Sequence, residues 1–151
     1  MDTIYGNIVT GAYDIFCHQV NCRRVMSSGV AKQIRDKYPE VFQAYARKIP
    51  VLGDILPVSC FDGRICVNLY AQDGYGRDKQ YTDYQAFQKC LDSLVDFLAT
   101  QRQDAVVAFP YNIGCGLAGG DWSVVEKLLE DFSRKIRQNV AIVKFDPVRL
   151  R

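Results

Sequence analysis

Between Pro110 and Trp122 the chain reads P-Y-N-I-G-C-G-L-A-G-G-D-W, with four glycines in seven residues: Gly114, Gly116, Gly119 and Gly120. Glycine reaches φ > 0 without penalty and leaves no Cβ between its amide and a ligand. Before this loop stands an apolar, β-branched run, Ala105 to Phe109, too short for a helix and suited to a buried strand. Pro110 ends that strand by removing a ladder donor. After Asp121, the residues Val125, Leu128, Leu129, Phe132 and Ile136 recur at helical spacing. Strand, glycine loop and helix N-terminus together can hold phosphate through oriented N–H groups and the helix dipole. The plainer alternative is an ordinary strand-to-helix turn, which rarely needs four glycines.

A second unit of the same kind lies upstream. Asp14 to Val20, D-I-F-C-H-Q-V, reads as a buried strand, and Asn21 to Gly29, N-C-R-R-V-M-S-S-G, as a polar loop. Val30, Ile34, Tyr38 and Phe42 then keep a helical repeat that Pro39 splits into two short helices. Side by side in a parallel sheet, the two units place both loops at one carboxyl edge, where α/β proteins bind ligands. Asn21, at a strand end beside an anion loop, is a candidate ligand contact. His18 within its strand reads first as a packed, hydrogen-bonded histidine and second as an acid or base. With one histidine in the chain, a metal site at Cys17, His18 and Cys22 is a poor fit, and no metal is expected. Arg23 and Arg24 are either a solvated pair or a guanidinium fork for a phosphate or an acidic partner. Tyr75, between two glycines, is a candidate lid or an exposed turn residue. Tyr111 suits either the ligand or the core, and Trp122 reads as packing.

The remaining elements are those needed to position these loops. Gly53 and Pro57 lead into a strand from Ile55 to Ser59, Asp62-Gly63 marks a hairpin turn, and Arg64 to Tyr70 returns. Ala71 to Gln80 is a polar loop, and Thr82-Asp83-Tyr84-Gln85 has the form of a capping box for a helix lined by Phe87, Leu91, Leu94 and Leu98. Short strands open near Ile4 and close over Val140 to Phe145, before Pro147 and a basic tail. Alternating strands and helices over 151 residues imply one domain, 1–151, folded as a three-layer α/β/α sandwich with a mixed central sheet. A net charge of +2 gives no argument for nucleic acid by itself. No run reaches membrane length and the start lacks signal-peptide character, so a cytoplasmic protein without membrane contact is expected. The six cysteines lack C-x-x-C spacing and read as reduced, mostly buried thiols.

The pairing of H-Q-V-N-C…M-S-S-G-V-A-K-Q-I (residues 18–34) with N-I-G-C-G-L-A-G-G-D-W (residues 112–122) resembles the macrodomain family. The likeness is to the branch holding the terminal ADP-ribose protein hydrolase and the antitoxin glycohydrolase that removes ADP-ribose from DNA. The resemblance implies an ADP-ribose cleft at the carboxyl edge of the sheet. Asn7, followed by Ile8, stands where the family's aspartate reads the adenine amino group. Asn21 matches a polar residue beside the distal ribose. One loop, with Val25, Ser27, Ser28, Gly29 and Val30, and the other, with Ile113, Gly114, Cys115, Gly116, Leu117, Ala118 and Gly119, would clamp the diphosphate. Asp121 matches an acidic residue following the glycine loop, and is equally well explained as a helix N-cap. Two departures stand out. The first loop, R-R-V-M-S-S-G, has less glycine near Arg24 and Ser27 than this branch carries. Gln72 stands where those glycohydrolases use a lysine, and a carboxamide cannot form a Schiff base.

The expected activity is therefore hydrolysis of an ADP-ribosyl linkage at the distal ribose by direct attack of water, with Asp121, Asn21 and His18 as the candidate catalytic residues and no cofactor. The alternatives are an ADP-ribose 1''-phosphate phosphatase using His18, or a module that binds ADP-ribose without turning it over. The expected partner is ADP-ribose or an ADP-ribosylated substrate, nucleic acid included only when so modified, and the chain is expected to act as a monomer.

Overall fold

The computed structural model describes residues 1–146; Pro147 and the basic tail lie outside the described residues. Ten elements follow in the order β1 (Asp2–Tyr5), β2 (Ile15–Val20), α1 (Gly29–Lys37), α2 (Pro39–Arg47), β3 (Ile55–Ser59), β4 (Ile65–Tyr70), α3 (Tyr84–Leu98), β5 (Val106–Pro110), α4 (Trp122–Ser133) and β6 (Asn139–Lys144). They build one six-stranded sheet in the order β1-β6-β5-β2-β4-β3. All neighbours run parallel except the β3–β4 hairpin.

The sheet is buried on both faces, which is why β2 and β5 read as continuous apolar runs instead of alternating ones. Successive side chains of β2 nevertheless go to opposite cores. Ile15 and Cys17 join the core beneath α3 and α4, with Phe87, Leu94, Val125 and Phe132. Phe16 and Val20 join the core beneath α1 and α2, with Ile34, Tyr38, Val41 and Tyr45. Helices on both faces of a mixed sheet give the expected three layers. Cys17, Cys60, Cys66 and Cys90 are buried among these side chains, and burial pushes their thiols up, that of Cys90 to about 12.

Three local expectations are corrected. The capping box does not form on Thr82: Asp83 is the N-cap of α3 and accepts from the Ala86 amide at 2.9 Å. Thr82 is instead buried, its hydroxyl donating to the Gly114 carbonyl at 2.6 Å. The helix after Asp121 stops at Ser133, short of Ile136, because the amides of Arg134 and Lys135 turn back three residues to Asp131 and Phe132 and tighten the last turn. Asp14 lies just outside β2, where its carboxylate receives the Val106 amide at 2.9 Å and pairs with Arg102 at 3.1 Å.

A tether that the sequence did not disclose orders the loop between β1 and β2. Arg64 spreads its guanidinium over three backbone carbonyls, Ile8 at 2.7 Å, Val9 at 2.7 Å and Tyr13 at 2.8 Å, and over the Tyr38 hydroxyl at 2.7 Å. Its plane lies 4.0 Å from the centre of the Phe16 ring. Only the planar fork of arginine can serve so many acceptors at once.

Candidate functional site: a cleft between the ends of β2 and β5

Strands β2 and β5 are neighbours, but the chain leaves them in opposite directions. From β2 it passes through α1 and α2 to the β3–β4 side, and from β5 through α4 to β6 on the other side. Such a divergence opens a crevice at the carboxyl ends of the two strands. Here the crevice has a volume of about 440 Å³ and is lined by residues 18–21, 25, 27–31, 72, 75–77, 110–114, 117 and 118.

This cleft gathers much of the sequence-derived set: His18, Asn21, Val25, Ser27, Ser28, Gly29, Val30, Tyr75, Ile113, Gly114, Leu117 and Ala118. Its lining does not include Asn7, Ile8, Cys115, Gly116, Gly119 or Asp121. Asn7 turns its side-chain oxygen to its own turn, accepting from Val9 at 2.9 Å and Thr10 at 3.2 Å, and Ile8 is buried in the core under α1 and α2. Val20, Ala31, Gly76 and Pro110 also line the cleft, and Gln19, Gln72, Arg77, Tyr111 and Asn112 add polar side chains to the wall.

On one side the cleft is bounded by the start of α1. Its N-cap, Ser28, makes no side-chain capping bond, and the first turn holds no acidic residue. The amides of Gly29, Val30 and Ala31 therefore point out of the helix without an acceptor among the described residues. The contrast with α3 and α4 is chemical, for both of those are capped by aspartate. An uncapped, acid-free helix start facing a cleft favours an anion.

On the other side the glycine loop closes on itself. Cys115 donates to Asn112, Gly119 to Gly116 and Gly120 to Gly114, while the amides of Gly116, Leu117 and Ala118 meet no acceptor among the described residues. Its glycines serve different ends. Gly114 has φ 73°, and a Cβ there would lie 2.7 Å from Gln19 Oε1. Added Cβ atoms at Gly119 and Gly120 would press on backbone, that of Gln80 at 3.2 Å and the Gly114 carbonyl at 2.6 Å. Gly116 alone of the four faces open space and needs no positive φ.

Beneath this loop runs a chain of side-chain hydrogen bonds. Gln19 Nε2 donates to Gln72 Oε1 and to Thr82 Oγ1, each at 2.9 Å; Gln72 Nε2 donates to Gly74 at 2.8 Å, and Thr82 donates to Gly114. Gln72 is thus a clasp between β2 and the loop before α3. Gln19, a polar residue inside an apolar strand, carried a signal that pattern reading passed over.

Asn21 anchors the first loop. Its Oδ1 accepts from Arg23 at 2.9 Å and from the Tyr45 hydroxyl at 2.8 Å, and its Nδ2 donates to Val25 at 2.9 Å. That oxygen is occupied by the protein itself, so what Asn21 still offers a ligand is its remaining Nδ2 hydrogen. Arg23 pairs with Asp73 at 3.1 Å and Arg24 donates to the Lys48 carbonyl at 3.3 Å, both away from the cleft. Arg77, which the sequence reading did not single out, lines the cleft and is exposed, with no charged partner among the described residues. Tyr111 lies against Trp122, their ring centres 4.9 Å apart.

Asp121 is the N-cap of α4 and accepts from Ser123 Oγ at 2.7 Å and the Ser123 amide at 2.9 Å. The Ser123 hydroxyl first, then its amide, holds the carboxyl below its usual range, so Asp121 is ionised. His18 is buried, its Nε2 2.6 Å from Asn68 Oδ1, and burial pushes its pKa down to about 4 against the smaller opposing effect of Asn68. Among the described residues no cluster of three or more His, Cys, Asp or Glu is placed to hold a metal. No described helix is long and apolar enough to cross a membrane.

The family model for the Macro domain matches residues 17–129, most of the chain, and the chain belongs to that family. Among its relatives is a 17.5 kDa protein encoded in the tk-vs intergenic region of enterobacteria phage T4, 26% identical over 140 residues, covering 87% of this chain and 86% of the phage protein. The fold is shared with the macrodomain of Mycobacterium tuberculosis DarG, at a TM-score of 0.80 and 23% identity over 94% of this chain and 96% of that one. It is shared also with the macrodomain of Thermus aquaticus DarG, at 0.78 and 20% over 97% of each. Thermosipho africanus DarTG, whose structure is a complex with ADP-ribose, matches at 0.79 and 17% over 97% of this chain and 41% of that longer one.

Proposed function

We propose that this macrodomain binds ADP-ribose in the cleft between β2 and β5. The observation that carries the reading is that two sets of amides without acceptors border the cleft, at the uncapped start of α1 and at Leu117 and Ala118. Both are donors without side-chain charge, which suits a diphosphate laid between them. Free ADP-ribose should give a calorimetric binding signal, and adenosine, lacking the diphosphate, a far weaker one. No heat and no thermal shift with ADP-ribose would overturn the reading.

The cleft lining contains no carboxylate and no lysine, which favours binding without turnover. A second reading, hydrolysis of an ADP-ribosyl linkage by direct attack of water, rests on Asp121, which follows the glycine loop and is ionised. In that reading Asn21 donates to the distal ribose and no covalent sugar adduct forms, because Gln72 offers only a hydrogen-bonded carboxamide. Turnover of ADP-ribosyl substrates with no adduct trapped by borohydride would support it; a trapped lysine adduct would overturn it. The phosphatase reading loses support, because a histidine with its pKa near 4 has no proton to give a phosphate at neutral pH.

A further inference from the structure

Two buried acceptors without partners among the described residues, Gln19 Oε1 and His18 Nδ1, belong to side chains that line the cleft, and the state of the second follows from Asn68. Asn68, fully buried on β4, donates from Nδ2 to the Leu56 carbonyl across the β3–β4 hairpin at 2.9 Å. A carbonyl only accepts, so the orientation of this amide is determined, and Oδ1 is the atom that meets His18 Nε2 at 2.6 Å. That oxygen accepts too, so the proton of the neutral imidazole sits on Nε2. Nδ1 then carries a lone pair. It is buried and has no hydrogen-bond partner among the described residues, while His18 is part of the cleft lining.

We propose that His18 reads a hydroxyl: Nδ1 accepts a hydrogen bond from a ribose hydroxyl of the bound nucleotide and turns phosphate oxygens away from this part of the floor. This rests on the ADP-ribose reading and adds to it a determinant of how the nucleotide lies. An unpaired buried acceptor is costly, on the order of 1–3 kcal/mol, so a donor at this point is favoured. A ribose hydroxyl supplies one. A phosphate oxygen ionised at neutral pH supplies none, and its lone pairs meet that of Nδ1. The alternative, a protonated His18 donating to phosphate, is opposed by burial, which keeps the ring neutral. Anions are thereby left to the amides of the two loops, and the sugar to the floor.

The chain has a single histidine, so long-range proton–nitrogen correlation of the labelled imidazole reports on this site alone. In the free protein Nε2 should be the protonated nitrogen and Nδ1 the unprotonated one. At calorimetric saturation with ADP-ribose, the Nδ1 resonance should move toward the hydrogen-bonded position while Nε2 holds. ADP, which has the proximal ribose and the diphosphate but no distal ribose, separates the two sugars: a matching shift assigns the proximal hydroxyls, and a shift with ADP-ribose alone assigns the distal ones. His18→Leu should weaken ADP-ribose by about tenfold and leave any pyrophosphate binding unchanged. A proton on Nδ1 in the free protein would overturn the inference, as would an unmoved Nδ1 in a saturated complex or an equal shift with pyrophosphate alone. A protein that gives no heat with ADP-ribose would overturn the ADP-ribose reading itself, and the two failures are told apart.

Discussion

His18 and Asp121 are the two titratable side chains proposed for chemistry, and their surroundings pull them in different directions. His18 is held neutral by burial, with a pKa near 4 against an ordinary 6.5. For a base with a lowered folded pKa, the unfolded chain binds more protons between the two values, so stability falls as pH drops from 6.5 toward 4. Across that window the loss is on the order of 3 kcal/mol. Denaturant unfolding of the parent and of His18→Leu at steps from pH 7 to pH 4 should show their difference shifting by that amount in favour of the variant. A difference constant with pH would mean that the ring is not held neutral. Asp121 is exposed and engaged with Ser123. Asp121→Ala should lower stability through the lost cap and leave ADP-ribose affinity within a few-fold. If the parent turns over an ADP-ribosyl substrate, a fall of one or more orders of magnitude in the variant would place Asp121 in the reaction, and no fall would leave it a cap.

At the scale of elements, the glycine loop is two devices in one stretch. Gly114, Gly119 and Gly120 let it fold tightly on β5 and on the loop before α3, whereas Gly116 leaves space open. Gly116→Val should therefore keep the fold by circular dichroism, and abolish ADP-ribose binding if the diphosphate reaches past the cleft lining to the Gly116 amide; parent affinity in the folded variant would leave Gly116 outside the phosphate cradle. Gly114→Ala should instead destabilise, since a left-handed φ costs a Cβ-bearing residue about 1–2 kcal/mol even before the contact with Gln19. The loop between β1 and β2 depends on Arg64. Lysine cannot reproduce four hydrogen bonds from a planar fork. Arg64→Lys should lower stability by about 1–3 kcal/mol, read from the denaturant midpoint, because the carbonyls of Ile8 and Tyr13 lose their donor and that of Val9 keeps only Lys37. An unchanged midpoint would show that water replaces the guanidinium freely.

For the whole molecule, the cleft is a consequence of strand order. The loop after β2 and the loop after β5 belong to chain segments that diverge to opposite edges of the sheet, so a ligand lying between them ties together parts that the backbone sends apart. ADP-ribose at a hundred times its dissociation constant should stabilise the domain by about 2.7 kcal/mol, provided that it binds only the folded state. A melting temperature that rises steadily with ligand concentration is the expected result, and one independent of concentration would contradict it.

What the sequence determined by itself follows from local rules. Strand and helix periods, Pro39 between α1 and α2, and the Asp62-Gly63 turn are written in residues close in the chain, and they gave the layers and the positions of both loops. The two-unit motif gave the family that the Macro domain match bears out. The tertiary structure decided what each polar atom is used for. Thr82 carries the signature of a cap, yet its hydroxyl serves Gly114, 32 residues away. Gln72 reads as a lost lysine, and in the fold it is a clasp on Gln19, 53 residues distant. The tautomer of His18 depends on Asn68 and, through it, on Leu56. Hydrogen-bond partners across a sheet are set by register and packing, which bring distant segments within 3 Å, and no spacing along the chain encodes them.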